Sequence, residues 1–98
     1  MGGGLDFAEA YYQLGNKVKA EYILGKIYKN CSQYVAYYLG MRQSAFNSNL
    51  RDCMYNLYIM QSVLDVADKY NESYGDKIAE SLSKYMRLYE QRGGTFNY

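Results

Sequence analysis

The sequence has no proline, no histidine and no tryptophan, and only two cysteines. Proline fixes φ and suits tight turns, so a fold with few turns of fixed geometry does without it most easily. A mostly helical chain is therefore predicted. Histidine is the side chain whose ordinary pKa lies nearest neutrality, so its absence removes the usual general base. Two thiolates with no histidine are too few ligands for a zinc site. No sign of charge dominates: 11 basic and 10 acidic residues leave a net charge of +1. The basic residues are scattered among the acids and form no stripe of the kind that tracks a phosphate backbone, so nucleic acid is not an expected partner. No run approaches the roughly 20 apolar residues of a membrane span, so direct membrane insertion by this segment is not expected either.

What the chain does have is tyrosine: fourteen, with three phenylalanines, in 98 residues. An apolar ring with a polar tip suits half-buried seams and interfaces. The length fits one domain with one core. The opening MGGG has neither a charged n-region nor an apolar h-region, so it reads as a linker or expression remnant over residues 1–4. A single helical domain is expected over residues 5–92, and a flexible tail over residues 93–98. Cys31 and Cys53 read as buried free thiols, with a disulfide as the alternative in an oxidising compartment. Asn30-Cys31-Ser32 and Asn71-Glu72-Ser73 match the N-glycosylation pattern, which carries meaning only in a secretory context.

Helical spacing organises the rest. Phe7, Tyr11 and Leu14 form a stripe beside Ala8, with Asp6 and Glu9 as a capping pair, and predict a helix over residues 5–14. Gly15-Asn16 follows as a turn that tolerates left-handed φ. Ala20, Ile23, Leu24 and Ile27 predict a second helix ending near Asn30, antiparallel to the first. Ser32 is read as the N-cap of a third, shorter helix closed by Gly40. The polar stretch from Met41 to Asn49 reads as a loop. Leu50, Cys53, Leu57, Met60, Leu64 and Ala67 alternate spacings of three and four, as a packed helix seam does. Asn71 to Gly75 breaks that helix. A last one carries Ile78, Leu82, Tyr85 and Tyr89 and stops at Gly93-Gly94. No segment alternates with period two, so about five helices and no strands are expected.

Over residues 5–30 the pattern of large and small side chains resembles a tetratricopeptide repeat, a helical hairpin of about 34 residues. Phe7-Ala8, Tyr11, Gly15, Ala20 and Leu24 fall at matching offsets. Gly4, Ile27 and Ser32 depart from it, standing where the family has tryptophan, a small residue and proline. The resemblance implies an all-α fold, a tetratricopeptide-like hairpin packed on a helical bundle. It also implies a protein-contact groove on the first helix, lined by Leu5, Glu9, Tyr12 and Gln13. Over most of its length the chain is also similar to the soluble C-terminal tail of the DUF2723 family. These are multispanning membrane proteins common in Bacteroidetes and related to protein O-mannosyltransferases. The similarity rests on Phe7 to Ala20, Tyr34 to Tyr38, Tyr58-Ile59-Met60-Gln61 and Tyr74 to Leu82. It implies a soluble domain tethered to a membrane-anchored glycosyltransferase-like parent, on the extracytoplasmic (periplasmic) side.

Chemistry in the isolated domain has little to stand on. Asp65 and Asp68 share a helix turn but flank an apolar stripe, and a working acid pair needs burial to separate its pKa values. Tyrosine or cysteine could act as a nucleophile only beside an activating base, and none is visible. No catalytic, cofactor-binding or metal-binding residue is assigned, and no cofactor is expected. The expected function is a non-catalytic interaction module that holds a protein partner or the remainder of its own parent chain. The alternative is a structural spacer or dimerisation domain.

Overall fold

The computed structural model describes residues 2–96 and is all-helical, with five helices and no strand among them. These are α1 (Gly2–Gln13), α2 (Lys17–Leu39), α3 (Gln43–Ser48), α4 (Leu50–Lys69) and α5 (Gly75–Gln91). The number matches the expectation, but the boundaries do not. The first helix takes in Gly2 to Gly4, which the sequence had suggested as linker; Met1 lies outside the described residues. The expected second and third helices are one helix of 23 residues. Ser32 does not cap anything: its hydroxyl donates back to the Lys29 carbonyl at 3.0 Å, within the helix. Ala20, Leu24, Cys31 and Val35 make one unbroken buried stripe across the expected break, and that burial keeps the helix going.

The second correction is α3, which sits inside the expected loop. Phe46 is its anchor. The ring is fully buried, edge-on to Tyr89 with centroids 6.0 Å apart, and the Arg92 guanidinium lies 4.4 Å from its centroid. One buried aromatic fixes a six-residue helix whose other residues are polar or small.

The first helix also presents a different face from the one expected. Phe7 and Leu14 are 66% and 78% exposed, while Ala8 is fully buried and Leu5 and Tyr12 pack beside it. Both stripes have helical spacing, so periodicity could not choose between them. Close approach of two helices chooses: fully buried Ala8 on α1 matches fully buried Ala20 on α2, with no bulky side chain to hold the backbones apart. Gly4 continues the same close contact, for a Cβ there would lie 3.0 Å from Ile27 Cδ1.

Three helix ends close alike. Asn16 and Gly15 donate to the Tyr11 and Tyr12 carbonyls; Glu72 and Asn71 donate to Ala67 and Asp68; Gly94 and Gly93 donate to Tyr89 and Glu90. In each, the second residue after the helix adopts a left-handed φ: Gly15 at 79°, Asn71 at 57°, Gly93 at 96°. These closures turn the chain without proline. Asn16 also caps α2, its side chain accepting from the Lys19 N–H at 3.2 Å.

The α2–α4 pair forms the centre. α1 packs chiefly on α2, α5 chiefly on α4, and all sequential neighbours among these four helices are antiparallel. One core cluster joins Cys31, Val35, Phe46, Cys53, Leu57, Met60, Leu82 and Tyr89. The other joins Ala8, Leu24, Val63, Val66 and Ile78. The body measures 46 × 23 × 23 Å. Its radius of gyration of 14.2 Å exceeds the about 12.6 Å of a compact chain of this length, so the bundle is a short rod. The expected loose tail is packed over its described part. Gly94 is buried against the Tyr89 ring, the Phe96 ring lies tilted with its centroid 5.0 Å from that of Tyr89, and Tyr89 Oη donates to the Thr95 carbonyl at 3.0 Å. Residues 97–98 lie outside the described residues.

Two substitutions test this packing. Ala20→Leu should lower unfolding free energy by roughly 1–3 kcal/mol, because a larger side chain must wedge α1 from α2. Phe46→Ala should cost about 3–5 kcal/mol if α3 is held by that ring. Denaturant titration followed by circular dichroism reads both. Losses no greater than that of the exposed Val18→Ala would contradict these roles.

Candidate functional site

The α1–α2 and α4–α5 turns meet at one end of the rod, and a polar cluster forms between them. Glu72 is the third residue past α4, and its side chain is only 3% exposed. The Tyr12 hydroxyl donates to its Oε2 at 2.5 Å, and the Lys17 ammonium lies 3.5 Å from its Oε1. The Tyr74 hydroxyl is 3.4 Å from that of Tyr12. Glu21 of α2 completes the cluster by a hydrogen bond to Glu72. Burial works against the Glu72 carboxylate, but hydrogen bonds from Tyr12 and Glu21 and the nearby Lys17 charge outweigh it and hold its pKa below the ordinary value. Glu21 moves the opposite way: its bond to Glu72 keeps the proton on Glu21 and raises its pKa. The two carboxyl groups are therefore pushed in opposite directions, Glu21 toward its protonated form and Glu72 toward its ionised form. Burial, with Glu72 as acceptor, raises the pKa of Tyr12 and keeps its hydroxyl protonated.

The four residues expected to line a contact groove on α1 do not form an open face. Leu5 packs on the core beside Ala8. Glu9 Oε2 accepts from Lys69 Nζ at 2.8 Å and from the Tyr70 hydroxyl at 3.1 Å, and the Lys69 bond lowers its pKa. Tyr12 stacks on Tyr70, with centroids 4.2 Å apart and planes 6° from parallel, besides bonding Glu72. Only Gln13 of the four is exposed. Glu9 and Tyr12 instead fasten α1 to the end of α4. No signal in the sequence pairs Glu72 with Tyr12 or Glu21, because the partners belong to separate helices and meet only when two turns stack.

The open surface lies farther along the rod. α1 has 12 residues and α2 has 23, so at about 1.5 Å per residue α1 covers only half of its neighbour. Where α1 begins, a groove of about 520 Å³ opens, lined by Gly3, Gly4 and Phe7 of α1, Ile27, Asn30 and Cys31 of α2, and Ile59 of α4. It shares Asn30 with a second depression of about 350 Å³ bordered by Gln33, Tyr34 and Tyr37. Tyr34 and Tyr37 are 48% and 64% exposed, and each ring stacks or leans on that of Tyr38. Tyr55 of α4 is 47% exposed.

The two cysteines are free and buried, one on α2 and one on α4. Burial pushes the Cys53 thiol up to about 11 and raises that of Cys31 as well, so neither is a nucleophile near neutral pH. Among the described residues no three His, Cys, Asp or Glu side chains gather as metal ligands, and no helix is long and apolar enough to cross a membrane.

Comparison with protein-family models, with curated proteins and with solved structures gave no match. The chemistry of the cluster is open to a direct test. Because Glu21 is raised, its contribution to stability is present at low pH and lost as pH rises through its folded pKa. Because Glu72 is lowered, its contribution is present above the ordinary carboxylate value and lost as pH falls through its folded pKa. Glu72→Gln should return the Glu21 titration, followed by carboxyl-carbon NMR, to the ordinary carboxylate range. An unmoved Glu21 midpoint would show that Glu72 is not what raises it.

Proposed function

We propose that this domain is a non-catalytic helical interaction module, holding a protein partner or another part of its own parent chain. The observation that carries the reading is the half-covered α2–α4 groove: a packed seam opens into a surface lined by Phe7, Ile59, Tyr34 and Tyr37. Tyrosines at the border of an apolar strip supply large contact area at low entropic cost and a hydroxyl for the rim. The nearest approach to acid–base machinery, the Glu21–Glu72 pair, is taken up by Tyr12 and Lys17, which supports a structural role for it. The resemblance to DUF2723 tails supports an accessory role in a larger membrane-anchored, glycosyltransferase-like protein, and the resemblance to tetratricopeptide repeats supports protein binding.

A second reading, a structural spacer, is favoured by the 46 Å rod tied at both ends. A photo-crosslinking residue at Tyr34 or Tyr37 in the full protein, in its own cell, separates the two. The interaction reading predicts discrete adducts at these positions and none at Lys84 on α5. Only uncrosslinked chain at all three positions would favour the spacer.

A further inference from the structure

A cleft of about 260 Å³ lies between α2 and the start of α5, over α4. No residue of α1 or of the last turn of α5 lines it, so neither end of the described chain borders it. Its floor is apolar: Leu24 and Val63 are fully buried and Ile78 nearly so. The half-buried rings of Tyr28 and Tyr74 line it as well. Gly25 lies at the exposed edge, and a Cβ placed there would meet nothing within 4 Å. The missing side chain leaves the mouth open. Size and lining select an occupant. An apolar cavity of about 150 Å³ is enough for benzene, so this cleft admits one ring with a short substituent. Glu21 is the one Asp, Glu, Lys or Arg in the lining, and it is half-buried. Behind it stands Glu72, so two carboxyl groups meet with one ammonium, that of Lys17, 3.5 Å from Glu72. An anion would face both carboxyls, whereas a cation answers them, and the faces of tyrosine rings attract cations too. The molecule already holds an ammonium between these two kinds of group: Lys69 Nζ is 2.8 Å from Glu9 Oε2 and 5.6 Å from the Tyr70 centroid. A partner's lysine side chain fits less well, because it would carry its charge onto the apolar floor. An amine with an apolar tail leaves the charge at the rim.

We propose that this cleft binds a small primary amine with a single apolar ring, the ring on Leu24, Val63 and Ile78 and the ammonium at Glu21 beside Tyr28 and Tyr74. The site is separate from the groove that carries the interaction-module reading and does not depend on it.

The probe is benzylamine, titrated into the intact chain labelled at its leucine, valine and isoleucine methyls. The controls are benzyl alcohol, which has the shape without the charge, and benzoate, which has the opposite charge. Saturable shifts at Leu24, Val63 and Ile78 are expected with benzylamine, with a midpoint on the order of 1 mM for so small a ligand. Benzyl alcohol should bind about threefold to tenfold more weakly, and benzoate more weakly still. Glu21→Gln, whose amide can still bond Glu72, should bring the amine down to the affinity of the alcohol. Gly25→Leu, at an exposed helical position where leucine is the better helix former, should keep the helical spectrum and weaken both ligands several-fold. The titration of Glu21 gives a further readout. Glu72, Lys17 and Tyr74 are the titratable groups that face it, and its bond to Glu72 raises its pKa. Bound benzylamine should lower the Glu21 midpoint, because an adjacent ammonium favours the carboxylate. Equal affinity for amine and alcohol, or a Glu21 midpoint unmoved at saturation, overturns the amine as ligand. Shifts that grow without saturating, or that saturate undiminished in Gly25→Leu, overturn the cleft as the site. Neither failure touches the crosslinks at Tyr34 and Tyr37, which report on a different surface.

Discussion

Everything in this molecule leans on the seam between α2 and α4. Ala20, Leu24, Cys31 and Val35 from one helix and Cys53, Leu57, Met60, Val63 and Ala67 from the other are almost wholly withdrawn from water. The side chains alternate between small and medium, so two helices of 23 and 20 residues lie close along most of their length. Neither helix is strongly amphipathic by charge placement alone. Burial against the partner is what carries α2 through the Asn30 to Ser32 region, where a local reading finds a stop. The remaining elements, α1, α3 and α5, each fill a side or an end of this pair.

The two ends of the rod are fastened by different means. At one end, two turns that each contain a left-handed residue stack so that Glu72, third after α4, comes under Tyr12, Lys17 and Glu21. A nearly buried carboxylate is tolerable only because donors surround it. At the other end Arg92 donates to the Leu39 carbonyl at 2.7 Å and covers the Phe46 ring, while the Gln43 amide donates to the Arg92 carbonyl at 2.8 Å. That clasp closes the last carbonyls of α2, joins α3 to α5 and turns the chain back over Tyr89. Between these two ends, Tyr34 and Tyr37 of α2 are exposed among the described residues.

Much of the fold was legible in residues. The α4 and α5 seams were readable because every core residue there recurs at helical spacing, and Gly15 and Gly93 marked real helix ends. Legibility failed where two alternatives satisfied the same local rule. On α1 the stripes Phe7-Tyr11-Leu14 and Leu5-Ala8-Tyr12 have equal periodicity, and only the close match to Ala20 favours the second. In the Met41 to Asn49 stretch polar residues outnumber the single anchor, Phe46, whose partners Tyr89 and Arg92 come from the far end of the chain. Of the four suggested contact residues, Leu5, Glu9 and Tyr12 have partners inside the molecule. Tyr37 and Tyr55 are exposed rings, whereas Tyr12 stacks on Tyr70.

The sequence by itself determined that this chain is helical, that it has no histidine, and where most helices turn. Those follow from composition and from local backbone preference, which act within a few residues. Only the tertiary structure decided which face of α1 is buried, that α2 is one helix, that Glu21 and Glu72 come together, and that among the described residues a groove lies beside Gly4. Each of these depends on which distant residues are brought together, and that is set by the close packing of small side chains between helices.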